Sequence, residues 1–133
     1  METPQHQEII LYLDNAREML EVAQVMLAND FYPSAINRAY YAIFYAANAL
    51  LVTNNMTQAK HSGVISVFRQ HFVKTGLIDP EFSKIYGRAM EDRHESDYEL
   101  ESPISKEDAQ ENLNGAVKFV SEVERWLQQE KWI

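Results

Sequence analysis

An all-α fold, an antiparallel up-and-down bundle of four main helices plus a shorter one, is predicted by three observations. Apolar residues recur at helical spacing in five segments. No segment sustains the alternation of a half-buried strand. Only four Gly and four Pro interrupt 133 residues, which favours long helices over a many-turned β fold. A chain of this length suits one core, so residues 1–133 are read as a single domain.

The first helix is expected from roughly Gln7 to Asn29. Ile9, Leu13, Ala16, Leu20, Ala23 and Leu27 alternate spacings of four and three, one continuous apolar stripe. Tyr12, Met19 and Met26 widen it. The second follows "DFYPS" and runs to about Val52, because Pro33 fits a first helical turn but not an interior. It carries a large stripe (Ile36, Tyr40, Ile43, Ala47, Leu50) and a small one made only of alanine (Ala35, Ala39, Ala42, Ala46, Ala49). Apolar residues over so much of the girth predict burial on more than one side. The third lies within residues 58–75, with Thr57 as a candidate cap and Gly76 suited to the left-handed position after it. The fourth starts at "DPEF", with Asp79 capping and Pro80 in the first turn, and ends within "RHESDY". A loop containing Pro103 follows. The fifth starts at "SKED", a capping box with Ser105 as cap and Asp108 in place of the usual Glu. Its stripe is Ala109, Leu113, Ala116, Val120, Val123 and Leu127.

Composition excludes several classes. Without Cys, neither a disulfide framework nor a thiolate metal site is open. No secretory signal pattern and no apolar run long enough for a bilayer is present, so the expected location is cytoplasmic, with no membrane partner. The His and acidic residues show no His pair four apart and no HExxH, so no metal is expected. Neither a P-loop nor a dinucleotide-binding glycine fingerprint appears, and no cofactor is expected. Net charge is −8, which repels nucleic acid in general. It is uneven: residues 60–93 hold six Lys/Arg against four acids, a local excess of two positive charges.

The segments "SAINRAYYAIFYAANALL", "KHSGVISVFRQHFVKTGLID", "RHESDYE" and the capped "SKEDAQENLNGAVKFV" stand in that order along the chain. Together they resemble the HEPN domain family, and within it the small stand-alone bacterial and archaeal members. The resemblance covers nearly the whole chain. It implies a helical bundle that commonly dimerises and is often paired with a minimal nucleotidyltransferase in a toxin–antitoxin-like couple. It also implies kinship with metal-independent RNases, whose signature is an Arg, then four to six intervening residues, then a His, the pair brought together across a dimer cleft. In some toxin members a nearby Tyr accepts adenylate from the partner.

In the frame set by "DRHESDYE" the signature Arg is Arg93, but the His positions hold Tyr98, Glu99 and Leu100. The segment fits an R-x-x-x-D-Y variant: Arg93, Asp97, Tyr98. Arg88 with His94 matches formally, but six helical steps separate their side chains by about 120° around the axis. Metal-free RNA cleavage needs a base for the 2′-OH and an acid for the leaving oxygen, work suited to His. An Asp beside an Arg is held too acidic for it, and Tyr, with a usual pKa of about 10, is a poor base.

The candidate residues each have a plainer reading. Arg93 and Asp97 are an ordinary intrahelical pair, worth roughly 0.2–0.5 kcal/mol, or a guanidinium aimed at phosphate. Tyr98 is a helix-end aromatic, or by resemblance the adenylation target. His61 is an exposed helix-start imidazole, or the missing base if its helix faces Arg93. His94 points about 100° away from Arg93 on an ideal helix and enters the site only if the helix unwinds. His71 belongs to a solvated face. Arg38 and Tyr41, three apart and outside both stripes of the second helix, are a polar edge or a second wall of a nucleotide or RNA cleft, with Asn37, Tyr45 and Asn48 adding contacts. Three functional readings follow: a HEPN-like homodimer that binds nucleotide or RNA phosphate as the partner of a nucleotidyltransferase without cutting; a metal-independent RNase using Arg93 with His61 or His94; and a structural adaptor.

Overall fold

The structure is a computed structural model and describes residues 3–56, 60–98 and 104–133, with the backbone alone for Tyr98. Its elements in chain order are α1 (Pro4–Ala28), α2 (Tyr32–Thr53), α3 (His61–Phe68), a π turn (Arg69–Val73), α4 (Pro80–Tyr98) and α5 (Lys106–Gln129). Among the described residues the fold is all-helical, as the periodicity predicts. The candidate cap Thr57 and the Pro103 loop lie outside the described residues.

Local chemistry sets the helix starts. Ser105 accepts a hydrogen bond from the Asp108 N–H at 3.1 Å, and Asp79 accepts one from the Glu81 N–H at 2.8 Å. Each satisfies a donor that the first turn leaves open. α1 begins three residues earlier than expected because Thr3 caps it, accepting from the His6 N–H at 3.0 Å. The ends of α1, α2 and α5 share one device. Asp30, Asn55 and Lys131 adopt positive φ of 63°, 55° and 63°. In each case the next residue's N–H reaches back to a carbonyl in the last turn: Phe31 to Met26, Met56 to Leu51 and Trp132 to Leu127.

α2 is the axis of the bundle, packed against α1, α3, α4 and α5. Both of its stripes are buried: all five alanines of the small stripe are at 0% exposure, and Ile36, Tyr40, Ile43, Ala47 and Leu50 at 1% or less. On the far side, Phe68, Phe72, Tyr86 and Phe119 fill the space between α3, α4 and α5. Phe72 stays in that core across the π turn, where the Lys74 N–H bonds the carbonyl of Arg69 at 2.9 Å. Arg69 lies across α4, its Nε donating to Ser83 Oγ at 2.9 Å. It occupies the space beside Gly87, where a Cβ would come within 2.7 Å of Nη2. No helix of the described residues is long and apolar enough to cross a membrane.

Candidate functional site

The site forms where the end of α4 and the start of α3 meet one edge of α2. α4 carries Arg93 and Asp97 one turn apart, so both face the same way. The Arg93 side chain is only 19% exposed. Its guanidinium carbon stands 4.8 Å from the Tyr40 ring centre and 5.8 Å from that of Tyr41, an electrostatically favourable place for a cation. Nη1 donates to the Tyr41 hydroxyl at 3.4 Å and lies 3.8 Å from Asp97 Oδ2. Nε is buried with no hydrogen-bond partner among the described residues. The guanidinium is thus held by rings and two long polar contacts, with donor capacity left over.

His61, at the first position of α3, packs into the same cluster. Its ring centre is 4.3 Å from Phe44, 5.6 Å from Tyr41 and 5.8 Å from Tyr40. Nδ1 is 3.1 Å from the Tyr40 hydroxyl. Burial, and then the nearby Arg93 charge, lower the His61 pKa from its usual value. Both penalise the imidazolium. Tyr40 is fully buried. Burial pushes its hydroxyl up to about 12, although Arg93 pulls the other way, so the phenol keeps its proton at neutral pH.

The lowered histidine pKa has a consequence for stability. Below its usual value of about 6.5, the unfolded chain takes up a proton at His61 that the folded chain resists. Stability contributed by the neutral ring is therefore present above that value and lost as pH falls through the lower, folded pKa. In thermal melts from pH 8 to pH 5, His61→Asn is expected to lose less stability across this window than the wild type. Equal losses would contradict the assignment.

The second wall is partly as expected. Tyr41 joins Arg93 to a groove lined by Met19, Val22, Asn37, Arg38, Tyr41 and Tyr45. A smaller groove adjoins it, in which Asp97 faces Pro33, Ser34, Asn37 and Arg38. Arg38 is exposed and donates to Asn37 Oδ1 at 2.9 Å. Asn48, in contrast, is no cleft residue: it is 5% exposed and its amide donates to the Phe44 carbonyl at 2.9 Å. His94 is exposed and lines a separate pocket with Met90, Glu91, Arg93 and Glu95. The helix does not unwind there. His71 is half-buried and belongs to the π turn. The Tyr98 side chain lies outside the described residues. Arg88 is occupied elsewhere, contacting Asp92, Asp108 and Glu111, so one cation of the basic middle is neutralised between α4 and α5. Among the described residues, no three His, Asp or Glu side chains converge as a metal set.

Sequence reasoning did not single out Tyr40 or Phe44. Tyr40 belongs to an apolar stripe, and the one sign of a second role was a hydroxyl on a buried face, which requires a partner.

Comparison with known proteins bears on the site's origin. The HEPN domain pattern matches residues 10–126. A Thermotoga maritima protein of the UPF0332 group is 37% identical over 113 residues, covering 85% of this chain and 86% of the relative. A Methanocaldococcus jannaschii protein named as a candidate toxin, MJ0605, is 35% identical over 123 residues, covering 92% and 91%. The crystal structure of TT1696 from Thermus thermophilus superposes with a TM-score of 0.76 at 20% identity. That match covers 90% of this chain and 98% of the other, a likeness of fold.

Proposed function

This chain belongs to the HEPN domain family, and from that premise we propose that it binds the phosphate of a nucleotide or RNA through Arg93. On this reading it acts as a homodimer partnered with a minimal nucleotidyltransferase in a toxin–antitoxin-like pair. One observation carries the proposal: a guanidinium four-fifths buried against two tyrosines, with, among the described residues, Nε unpartnered and Nη1 held at 3.4 and 3.8 Å. Such a group is pre-oriented, little hydrated and matched in shape to a phosphate. Arg38 on the adjoining groove supplies a second positive charge, and Tyr41 and Tyr45 supply rings on which a base stacks. The toxin names of relatives support the setting.

A second reading has an observation of its own. His61 lies in the Arg93 cluster and is held towards its neutral form, which suits a general base in metal-independent RNA cleavage.

Both are tested with the purified chain and a short fluorescent RNA, with EDTA present. Arg93→Ala is expected to weaken binding about tenfold to a hundredfold, the effect of losing hydrogen bonds to a charged group, while the circular dichroism spectrum stays unchanged. Unaltered affinity defeats the proposal. Cleavage that disappears in both Arg93→Ala and His61→Ala selects the nuclease reading instead.

A further inference from the structure

We propose that Tyr40 is a positioning residue that fixes His61 in the tautomer protonated at Nε2, so that the imidazole stands beside Arg93 as a neutral hydrogen-bond donor to the same anion. The anion rests on the function proposed above; the tautomer does not.

The argument is an accounting of protons. The Tyr40 hydroxyl has one proton to donate and is fully buried. Its hydrogen-bond contact among the described residues is His61 Nδ1, at 3.1 Å. The buried ring of Tyr86 packs against that of Tyr40, with ring centres 6.4 Å apart. The Tyr86 hydroxyl is itself buried with no hydrogen-bond partner among the described residues, so the two are not bonded. If Nδ1 carried the proton and donated to Tyr40, the phenolic proton would be stranded in the core, and a stranded buried donor carries a full desolvation penalty. With the phenol donating, Nδ1 is the acceptor and a neutral ring must carry its proton on Nε2. The groups facing the ring favour neutrality: Tyr40, Tyr41 and Phe44 from α2 bring no carboxylate to pair with an imidazolium, and Arg93 from α4 repels a second cation. Lys60, beside it in the chain, is exposed.

The consequence is chemical. An Nε2–H nitrogen has no lone pair with which to take a proton. In the resting state His61 therefore gives a hydrogen bond to a phosphate oxygen, as Arg93 does. To serve as a base through Nε2, it would have to move its proton to Nδ1 and break the Tyr40 bond. The arrangement suits holding an anion better than cleaving RNA.

Two-bond 15N–1H correlation spectra of the labelled full-length chain at pH 8 read the tautomer directly. The expected wild-type result is a pyridine-type Nδ1 and a pyrrole-type Nε2 at His61, with Tyr40→Phe giving a mixed population of the two tautomers. A protonated Nδ1 in the wild type overturns the inference, whatever the variant does. So does an unchanged tautomer in a folded Tyr40→Phe chain, because the phenol is then not what fixes it. Adenosine 5′-monophosphate is then titrated in. It is expected to shift the Arg93 and His61 Nε2–H signals together and to bind severalfold more weakly to Tyr40→Phe. A shift at Arg93 alone removes His61 from the anion site. Absence of any shift defeats the phosphate reading and leaves the tautomer assignment standing.

Discussion

Replacing Phe119 by alanine is expected to destabilise the fold by about 3–5 kcal/mol, the usual range for a buried aromatic. Its ring is 1% exposed and meets three others: Phe68 at 5.3 Å, Phe82 at 6.2 Å and Tyr86 at 5.6 Å, the last two edge-on. Phe68 comes from α3, Phe82 and Tyr86 from α4, and Phe119 itself from α5, so one truncation opens the junction of three helices. The vacated volume has little means of collapse, because Phe68 and Tyr86 are themselves fully buried. Domains of this size are stable by only about 5–15 kcal/mol, so the variant falls near the limit of folding. Urea denaturation checks it, with Phe119→Leu expected to cost well under half as much. The effect reaches the site, since Tyr86 packs on Tyr40 and Tyr40 carries Arg93. A fully stable Phe119→Ala chain would contradict the core described above.

Ala42→Leu is expected to cost about 1–3 kcal/mol or more, by overpacking rather than by loss. Ala42 is at 0% exposure in the middle of a stripe whose five members are all at 0%. α2 is enclosed by α1 on one side and by α4 and α5 on others, so three added carbons have no exit to solvent. The helix axes must separate or the leucine must leave its rotamer well, and either strains the packing. At Val25, 58% exposed on α1, a leucine should change the thermal midpoint very little. Equal midpoints for the two variants would show that α2 is not clasped on several sides.

Much of this architecture is written in local signals. The caps Ser105 and Asp79, the prolines that open α2 and α4, and the twin stripes of α2 each act within a few residues of themselves. Thr3 was missed because the apolar stripe of α1 starts only at Ile9 and leaves the first turn unmarked. The π turn was missed because the sequence "RQHFV" contains nothing that distinguishes five residues per hydrogen-bonded turn from four. The site divides the same way. Arg93 and Asp97 are legible from their spacing of one turn. The bond from Arg93 to Tyr41 spans 52 residues, and that from Tyr40 to His61 spans 21. Contacts at such separations are fixed by how helices cross, which periodicity does not encode. Asn48 misled because a polar residue near a polar edge resembles a cleft residue until its amide is seen bonded to its own helix.

The left-handed residues that close α1, α2 and α5 bear on how much heat the protein tolerates. None of the three is glycine, and an L side chain in that region gives up roughly 1–2 kcal/mol, less for Asp and Asn than for Lys. This expenditure lies at exposed corners, away from the packed interior and from the guanidinium. The chain therefore holds an unused reserve of thermal robustness at its bends, Lys131 first among them, that adaptation or engineering can release without disturbing whatever the groove does.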